Sequence, residues 1–219
     1  MKWLAVIPVV VIVAVLVAVG GYPIHSFRYR ITVNVDVDGQ LRSGSSVIEV
    51  TAQNQPRVTP ESGGVLTKAY GEAVYVDLGD GRNLVALLAS GPTAAGVDYP
   101  QHLVPRHFGL TGEERDLVQY SNLSGSWTLS AGELPTFVTF ADTKDPGTAR
   151  VQNPADLERT FGARVRLRDV LVEMTNDQVT VGIEQRLPWI KEWIAKGLAG
   201  RINGRSGVFV ANVPYFKRT

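Results

Sequence analysis

Residues 28–37 read RYRITVNVDV, an alternation of polar and apolar side chains that runs unbroken through the stretch. A period of two places all the apolar side chains on one face, which is typical of a β-strand with one buried face. Asp38-Gly39 follows directly and favours the tight turn of a hairpin. We therefore predict an antiparallel hairpin whose returning strand centres on Val47–Val50, with Ser43–Ser46 forming a bulge or irregular approach.

A second hairpin is predicted further along the chain, from Ala69–Leu78 through the turn Gly79–Gly81 to Arg82–Ala89. Its returning strand contains Leu84–Leu88, which is apolar at every position. A strand that is apolar on both faces is typical of a central strand covered on both sides. We therefore expect this strand to lie in the middle of a layered domain.

The remaining pattern predicts further strands and a few short helices. The strands are 134–141, which reads as buried, 165–174, whose alternation changes face near Asp169 and indicates a bulge or a two-sided strand, and 208–213. The helices are 111–120, 153–161, with Asn153 as N-cap before Pro154, and 188–198. Residues 53–64 and 91–105 are rich in Pro and Gly and are predicted to be loops. The expected fold class is α+β: one β-rich mixed domain with antiparallel hairpins and two or three helices.

An uncharged apolar block, Trp3–Ile24, precedes this domain. A helix of that length would be about 33 Å long, enough to cross the hydrocarbon core of a bilayer. We predict a transmembrane signal-anchor helix over residues 1–25 and one extracytoplasmic α+β domain over residues 26–219. The alternative is a secretory signal peptide cleaved after Ala18-Val19-Gly20.

Composition limits the chemistry that the chain can perform. It contains no cysteine, which excludes disulfides, thiolate catalysis and cysteine-bound metal centres. The net charge is +1, yet the residues from Arg186 to the end carry seven basic side chains against the single acidic Glu192. Such a segment suits an anionic lipid surface or an acidic protein partner, or it simply faces solvent. Nucleic-acid binding would need a basic face with aromatic or motif support, and the predicted extracytoplasmic location argues against it, so we predict no binding of nucleic acid.

The helix predicted at 188–198 carries the candidate binding surface. Trp189 and Trp193 are four residues apart and therefore stack on one side of a helix, and Lys196 follows. Tryptophan beside lysine is typical of a helix that lies on a membrane surface or docks onto a partner. The proposed surface comprises Trp189, Trp193, Lys196, Arg201 and Arg205. The alternative is that this helix covers the sheet and buries its tryptophans.

Histidines and carboxylates are the basis of the alternative hypothesis, that the protein is an enzyme. His102 and His107 flank Pro105 in a predicted loop, and a carboxylate such as Glu113 or Glu114 could join them. The Asp-Gly pairs in the predicted turns lack the spacing of a calcium loop. Glu61–Gly64 echoes the nucleophile motif of serine proteases, but the order of histidine and serine does not fit. We therefore predict no catalytic residue, no metal and no cofactor.

Several segments resemble bacterial proteins of unknown activity that carry a single N-terminal hydrophobic segment. These are YRITV at 29–33, RSGSSVIEV at 42–50, LPTFVTF at 134–140, and GIE at 182–184 before LPW at 187–189. The resemblance covers most of the chain and implies an origin in the bacterial cell envelope. It implies no activity.

These observations predict a single-pass protein of the bacterial inner membrane, with its domain on the periplasmic side. The expected function is that of a non-enzymatic binding or accessory module. Its partners would be the bilayer, through the N-terminal helix, and either a protein or an anionic lipid surface. The alternative is an envelope hydrolase with a histidine and carboxylate site.

Overall fold

The computed structural model describes residues 22–55, 64–91, 94–196, 202–203 and 210–219. Within them, the chain forms strands β1 (Ile24–Val37), β2 (Gln40–Asn54), β3 (Val65–Glu72), β4 (Val74–Gly79), β5 (Arg82–Ser90), β6 (Ser126–Thr128), β7 (Pro135–Phe140), β8 (Ala149–Gln152), β9 (Val165–Met174), β10 (Ile202–Asn203), β11 (Val210–Ala211) and β12 (Lys217–Arg218). The α-helices are α1 (Tyr99–His107), α2 (Glu158–Phe161) and α3 (Trp189–Ala195). Short 3-10 helices cover Glu114–Asn122, Ala131–Glu133, Pro146–Thr148, Ile183–Gln185 and Val213–Tyr215.

Two antiparallel sheets make up the body of the domain. The larger has six strands in the order β12-β3-β2-β1-β9-β6, and the smaller has four in the order β4-β5-β7-β8. β10 and β11 pair separately. The domain is therefore β-rich with a few helices, and the predicted α+β class is confirmed. Among the described residues no helix is both long and apolar enough to cross a bilayer, and residues 1–21 of the anchor predicted over 1–25 lie outside them.

The hairpin predicted from residues 28–39 is present and longer than predicted. β1 already begins at Ile24, and it pairs with β2 without interruption from Ile24 opposite Gln53 to Val37 opposite Gln40. Asp38 and Gly39 both adopt positive φ, 53° and 81°. A two-residue type I′ turn requires positive φ at both positions, and its twist matches that of the flanking strands. The prediction of an irregular approach at Ser43–Ser46 was wrong, because these residues continue β2 in register.

Gly44 explains why small residues occur in the middle of β2. A Cβ at this position would lie 2.9 Å from the carbonyl carbon of Tyr75 and would overlap its oxygen. β2 therefore passes directly over the backbone of β4, and only glycine permits this approach.

The substitution Gly44→Ala should destabilise the domain by roughly 1–3 kcal/mol, because two backbones must separate to admit the methyl group. Urea unfolding followed by circular dichroism measures this. Gly132→Ala is the matched control, since a Cβ there meets nothing within 4 Å. Equal stability of the two variants would mean that β2 and β4 are not in contact at this point.

The second predicted hairpin is divided between the two sheets. The prediction of one strand over Ala69–Leu78 was wrong: β3 ends at Glu72 in the six-stranded sheet, and β4 starts at Val74 in the four-stranded sheet. Gly71, at φ 141°, allows the chain to change direction there. The turn to β5 and the two-sided burial of β5 are as predicted. Leu84, Ala86 and Leu88 join the core between the sheets, and Val85, Leu87 and Ala89 join a second core on the opposite face.

The strands predicted at 134–141 and 165–174 are confirmed. All residues of β7 are buried. β9 contains the irregularity expected near Asp169, where the register against β1 shifts between Asn34 and Val35.

Several helix predictions need correction. The segment predicted as loop 91–105 contains most of α1, which begins with Pro100 in its first turn and tolerates Pro105 near its end. The helix predicted at 111–120 is a 3-10 helix, and the one predicted at 153–161 is reduced to α2 because Asn153 and Pro154 form a turn instead. The strand predicted at 208–213 is limited to β11 in the described part, and β12 was not predicted.

An irregular segment, residues 175–182 and here called the strap, connects β9 of the six-stranded sheet to the 3-10 helix Ile183–Gln185. Its first residue donates the Thr175 N–H to the carbonyl of Arg28 at 3.0 Å, and Asp177 forms an ion pair with Arg30. Thr180 then binds both backbone groups of Val47, accepting at 2.8 Å and donating at 3.1 Å. The strap thereby completes the edge of β2 where β3 leaves it.

A buried ion-pair cluster fixes the end of the chain. Glu72 is 2% exposed and accepts hydrogen bonds from Lys217 Nζ and the Ile183 N–H, both at 2.7 Å, and Lys217 also pairs with Glu184. Burial alone would lower the pKa of Lys217, but its hydrogen bonds to Glu184 and Glu72 outweigh this effect and raise it. Burial would likewise raise the pKa of Glu184, but the hydrogen bond from Lys217 leaves it lowered. The cluster therefore joins β3, the 3-10 helix Ile183–Gln185 and β12 through one lysine shared by two carboxylates.

Candidate functional site

One end of the six-stranded sheet, here called the basal end, is the end at which the described chain enters the domain. It is the end at which β1 begins, β2 finishes and β3 begins. The side-chain amide of Gln53 donates to the carbonyl of Tyr22 at 3.0 Å, so the chain is fixed to the domain two residues before β1. The last residue of the apolar block, Ile24, is already part of the sheet, opposite Gln53.

The 3-10 helix Glu114–Asn122 closes the core at the basal end. Leu117 and Tyr120 are buried, and the Tyr120 ring packs edge-on against Phe27 with centroids 5.0 Å apart. Asp116 anchors the start of this helix by accepting hydrogen bonds from the hydroxyl and N–H of Thr111, both at 2.7 Å. The hydrogen bond from the Thr111 hydroxyl makes the largest contribution to lowering the pKa of Asp116.

Apolar side chains are exposed around the same end. Ile24 is 66% exposed and Val118, on the outer side of the 3-10 helix, is 64% exposed. Tyr22 and Leu66 are also exposed. Leu66 lies opposite Gln53 on the neighbouring strand, and Gln53 lies opposite Ile24, so the three residues are side by side across the sheet. These side chains all lie at the end of the sheet where β1 begins.

A polar cavity of about 200 Å³ lies at the basal end, where β9 leaves β1 and the 3-10 helix ends. It has room for several waters, since one water occupies about 30 Å³ in the liquid. Three chain segments line it, and most of their side chains carry hydrogen-bonding groups: Ser26, Phe27 and Arg28 on β1; Tyr120, Ser121, Leu123 and Ser124 after the 3-10 helix; and Met174, Thr175 and Asn176 after β9.

Arg28 is the cation of this cavity, and two partners hold it in place. Its Nε and Nη2 atoms both lie 2.9 Å from Glu49 Oε1, and Nη1 donates to the carbonyl of Asp177 at 3.4 Å. A guanidinium carries five N–H groups, so about two of them are left for a ligand. The ion pair therefore orients Arg28 without using all of its donors.

The surface predicted on the helix at 188–198 is only partly exposed. Trp189 is 3% exposed and packs edge-on against Phe216 and Trp193, each with centroids 5.1 Å away. Trp193 is half-buried, and Lys196 is exposed and paired with Glu192. Arg201 and Arg205 lie outside the described residues. Trp189 thus belongs to the second core. It can contribute to a binding surface only indirectly, by packing against Trp193.

The carboxylates predicted to join the histidines of an alternative enzyme site, Glu113 and Glu114, have other partners in the structure. His107 is exposed on α1, and its ring stacks on Trp127 at 3.8 Å. Glu113 pairs with Arg115 at 3.1 Å, and Glu114 accepts from Asn54 at 2.8 Å. In the described part of the chain, no hydrogen bond joins His102 or His107 to an acidic or hydroxyl side chain. The Glu61–Ser62–Gly63 part of the protease-like motif lies outside that part.

Metal ligation finds no support in the described part of the chain, where no three His, Asp or Glu side chains form a group that could hold an ion. Asp38 and Asp80 have a backbone role instead. Both have φ of 53° and lie in hairpin turns, as expected for residues that tolerate this conformation.

The polar cavity was missed by the sequence analysis. Its lining comes from three segments that are far apart in the chain, and two of them have no periodic pattern. The available signal was local composition: Ser121, Ser124, Thr175 and Asn176 cluster just beyond predicted regular elements. Only the antiparallel pairing of β9 with β1 places these groups together.

In its described residues the chain is an α+β protein with two antiparallel sheets. Searches against protein-family models, curated proteins and solved structures gave no match.

Proposed function

We propose that this protein is a membrane-anchored, non-enzymatic binding or accessory module of the bacterial cell envelope, with its basal end resting on the periplasmic surface of the inner membrane. The observation that carries the proposal is the attachment of Tyr22 to Gln53 and the start of β1 at Ile24. These leave no linker between the apolar block and the domain. A domain attached in this way cannot swing far from the bilayer.

The length of the apolar block agrees with this arrangement. A helix over residues 3–21 would be about 28 Å long, close to the roughly 30 Å of a hydrocarbon core. The exposed Ile24 and Val118 side chains would then meet the interfacial region, where burial of apolar surface is favourable. Arg28 and Arg30 would stand just outside it.

Site-specific labelling tests this placement, because the chain has no cysteine and therefore no background. We expect full-length protein carrying Leu41→Cys to stay with the membrane through an alkaline carbonate wash and to react with an impermeant maleimide in intact spheroplasts. A cysteine inserted after Met1 is the control and should react only after lysis. Release by the wash, or reaction of Leu41→Cys only after lysis, would contradict the proposal.

A further inference from the structure

We propose that the polar cavity at the basal end binds a phosphate ester of glycerol, the group that a phospholipid headgroup presents at a bilayer surface. This inference rests on the proposed function for its source of ligand, because the cavity would open at the height of the headgroups. The chemistry of the lining carries it independently of that placement.

The lining is dominated by hydrogen-bond donors. The hydroxyls of Ser26, Ser124 and Thr175, the amide of Asn176 and the guanidinium of Arg28 can all donate to phosphate oxygens. A guanidinium binds phosphate through charge-assisted hydrogen bonds, which are about twice as strong as neutral ones. The Ser26, Ser124 and Asn176 side chains make no hydrogen bond with any described residue. These donors are therefore free to bind a ligand.

The backbone of β1 adds a further donor. β9 pairs with β1 only from Tyr29 opposite Met174 onward, and the Arg28 carbonyl points to that side because it accepts from Thr175. Backbone groups two residues apart in a strand point to the same side, so the N–H of Ser26 also points there. Within the described residues no strand pairs with it. The cavity thus lies against an open edge of β1.

The charge balance favours a headgroup over a free multivalent anion. Glu49 compensates Arg28, and Arg30 nearby pairs with Asp177 and Glu173, at 3.6 Å for the latter. The site therefore has one oriented guanidinium rather than an excess of positive charge. This suits a phosphodiester, which carries a single negative charge, and the apolar Leu123 and Met174 in the lining suit the glycerol carbons.

Native mass spectrometry of the full-length protein released from detergent micelles tests the inference with three probes: dioleoylphosphatidylglycerol, dioleoylglycerol and glycerol 3-phosphate. We expect the phospholipid to be retained at about tenfold lower concentration than dioleoylglycerol, which has the same acyl chains without phosphate. Glycerol 3-phosphate should compete for the site. Stronger retention of the phospholipid than of the soluble ester would identify the headgroup as the ligand, and the reverse would assign the same chemistry to a soluble ester.

Two variants separate this site from general lipid adhesion. Arg28→Gln should lower retention of the phospholipid about tenfold, and Ser124→Phe, which fills the cavity without touching the Arg28–Glu49 pair, should do the same. Arg30→Gln is the matched control, since Arg30 lies on the same strand but does not line the cavity. Equal retention of dioleoylglycerol, or unchanged retention in both cavity variants, would overturn the inference.

The outcome also separates this inference from the proposed function. Competition by glycerol 3-phosphate that depends on Arg28 supports the site even if the domain is not on the bilayer. Contact of the basal end with the bilayer, combined with no effect of Arg28→Gln or Ser124→Phe, would leave the placement intact and refute the site.

Discussion

Replacing Trp189 with alanine should lower the free energy of unfolding by about 3–5 kcal/mol, the usual cost of truncating a buried tryptophan. Trp189 fills the second core between the four-stranded sheet and α3, where it contacts Phe216, Phe140 and Trp193. Its loss would leave a large cavity under α3. Thermal unfolding of the detergent-solubilised protein would measure this as a fall in Tm on the order of 10 °C.

Trp193→Ala is the matched control, because Trp193 lies on the same helix and is only half-buried. It should cost less than half as much as Trp189→Ala. Similar costs would show that Trp193 is also a core residue, and a negligible cost for Trp189→Ala would contradict the packing of α3. Only Trp193 and the exposed Ile194 are then suitable for testing α3 as a docking surface, since Trp189→Ala disturbs the fold itself.

Replacing Lys217 with methionine should destabilise the domain by about 3–5 kcal/mol, because it leaves the buried Glu72 carboxylate without its cation. Lys196→Met is the matched control. It removes the same charge from an exposed pair with Glu192, and such pairs contribute only about 0.3–0.5 kcal/mol. Urea unfolding of both variants measures the difference. Equal, small effects would show that the Lys217 cluster is solvated in the folded protein.

The pH dependence of stability gives a second test of this cluster. The folded-state pKa of Lys217 is raised, so its contribution is complete below about pH 10.4 and is lost as pH rises through the folded value. The pKa of Glu184 is lowered, so its contribution is complete above about pH 4.3 and is lost as pH falls. Lys217→Met should therefore cost most between these two limits. A cost that did not vary at the extremes of pH would contradict the ion-pair account.

Features encoded by local patterns could be predicted from the sequence. The period-two alternation of β1, the Asp38-Gly39 turn, the two-sided burial of β5 and the bulge near Asp169 all depend on neighbours within a few residues. Each was therefore predicted, and each is present.

Features that depend on distant partners could not be predicted in this way. The change of sheet at Gly71 is fixed by contacts of β3 with β2 and β12, which lie far apart in the chain. The strap has no periodic pattern, and it is held by contacts with single residues of two different strands, Arg28 and Arg30 on β1 and Val47 on β2. The buried Glu72 carboxylate depends on its cation, Lys217, which lies 145 positions later in the chain. The cavity at the basal end likewise depends on residues that are far apart in the chain.

The central claim, that the basal end rests on the bilayer, is tested most directly by the environment of a fluorophore on full-length protein reconstituted into phospholipid vesicles. An environment-sensitive dye attached to Val118→Cys should be blue-shifted and quenched by lipids that carry a quencher near the headgroup. The same dye on Leu41→Cys should show neither effect, because Leu41 lies opposite Asp36, about 40 Å along β1 from Ile24. Identical emission and quenching at the two positions would contradict the account.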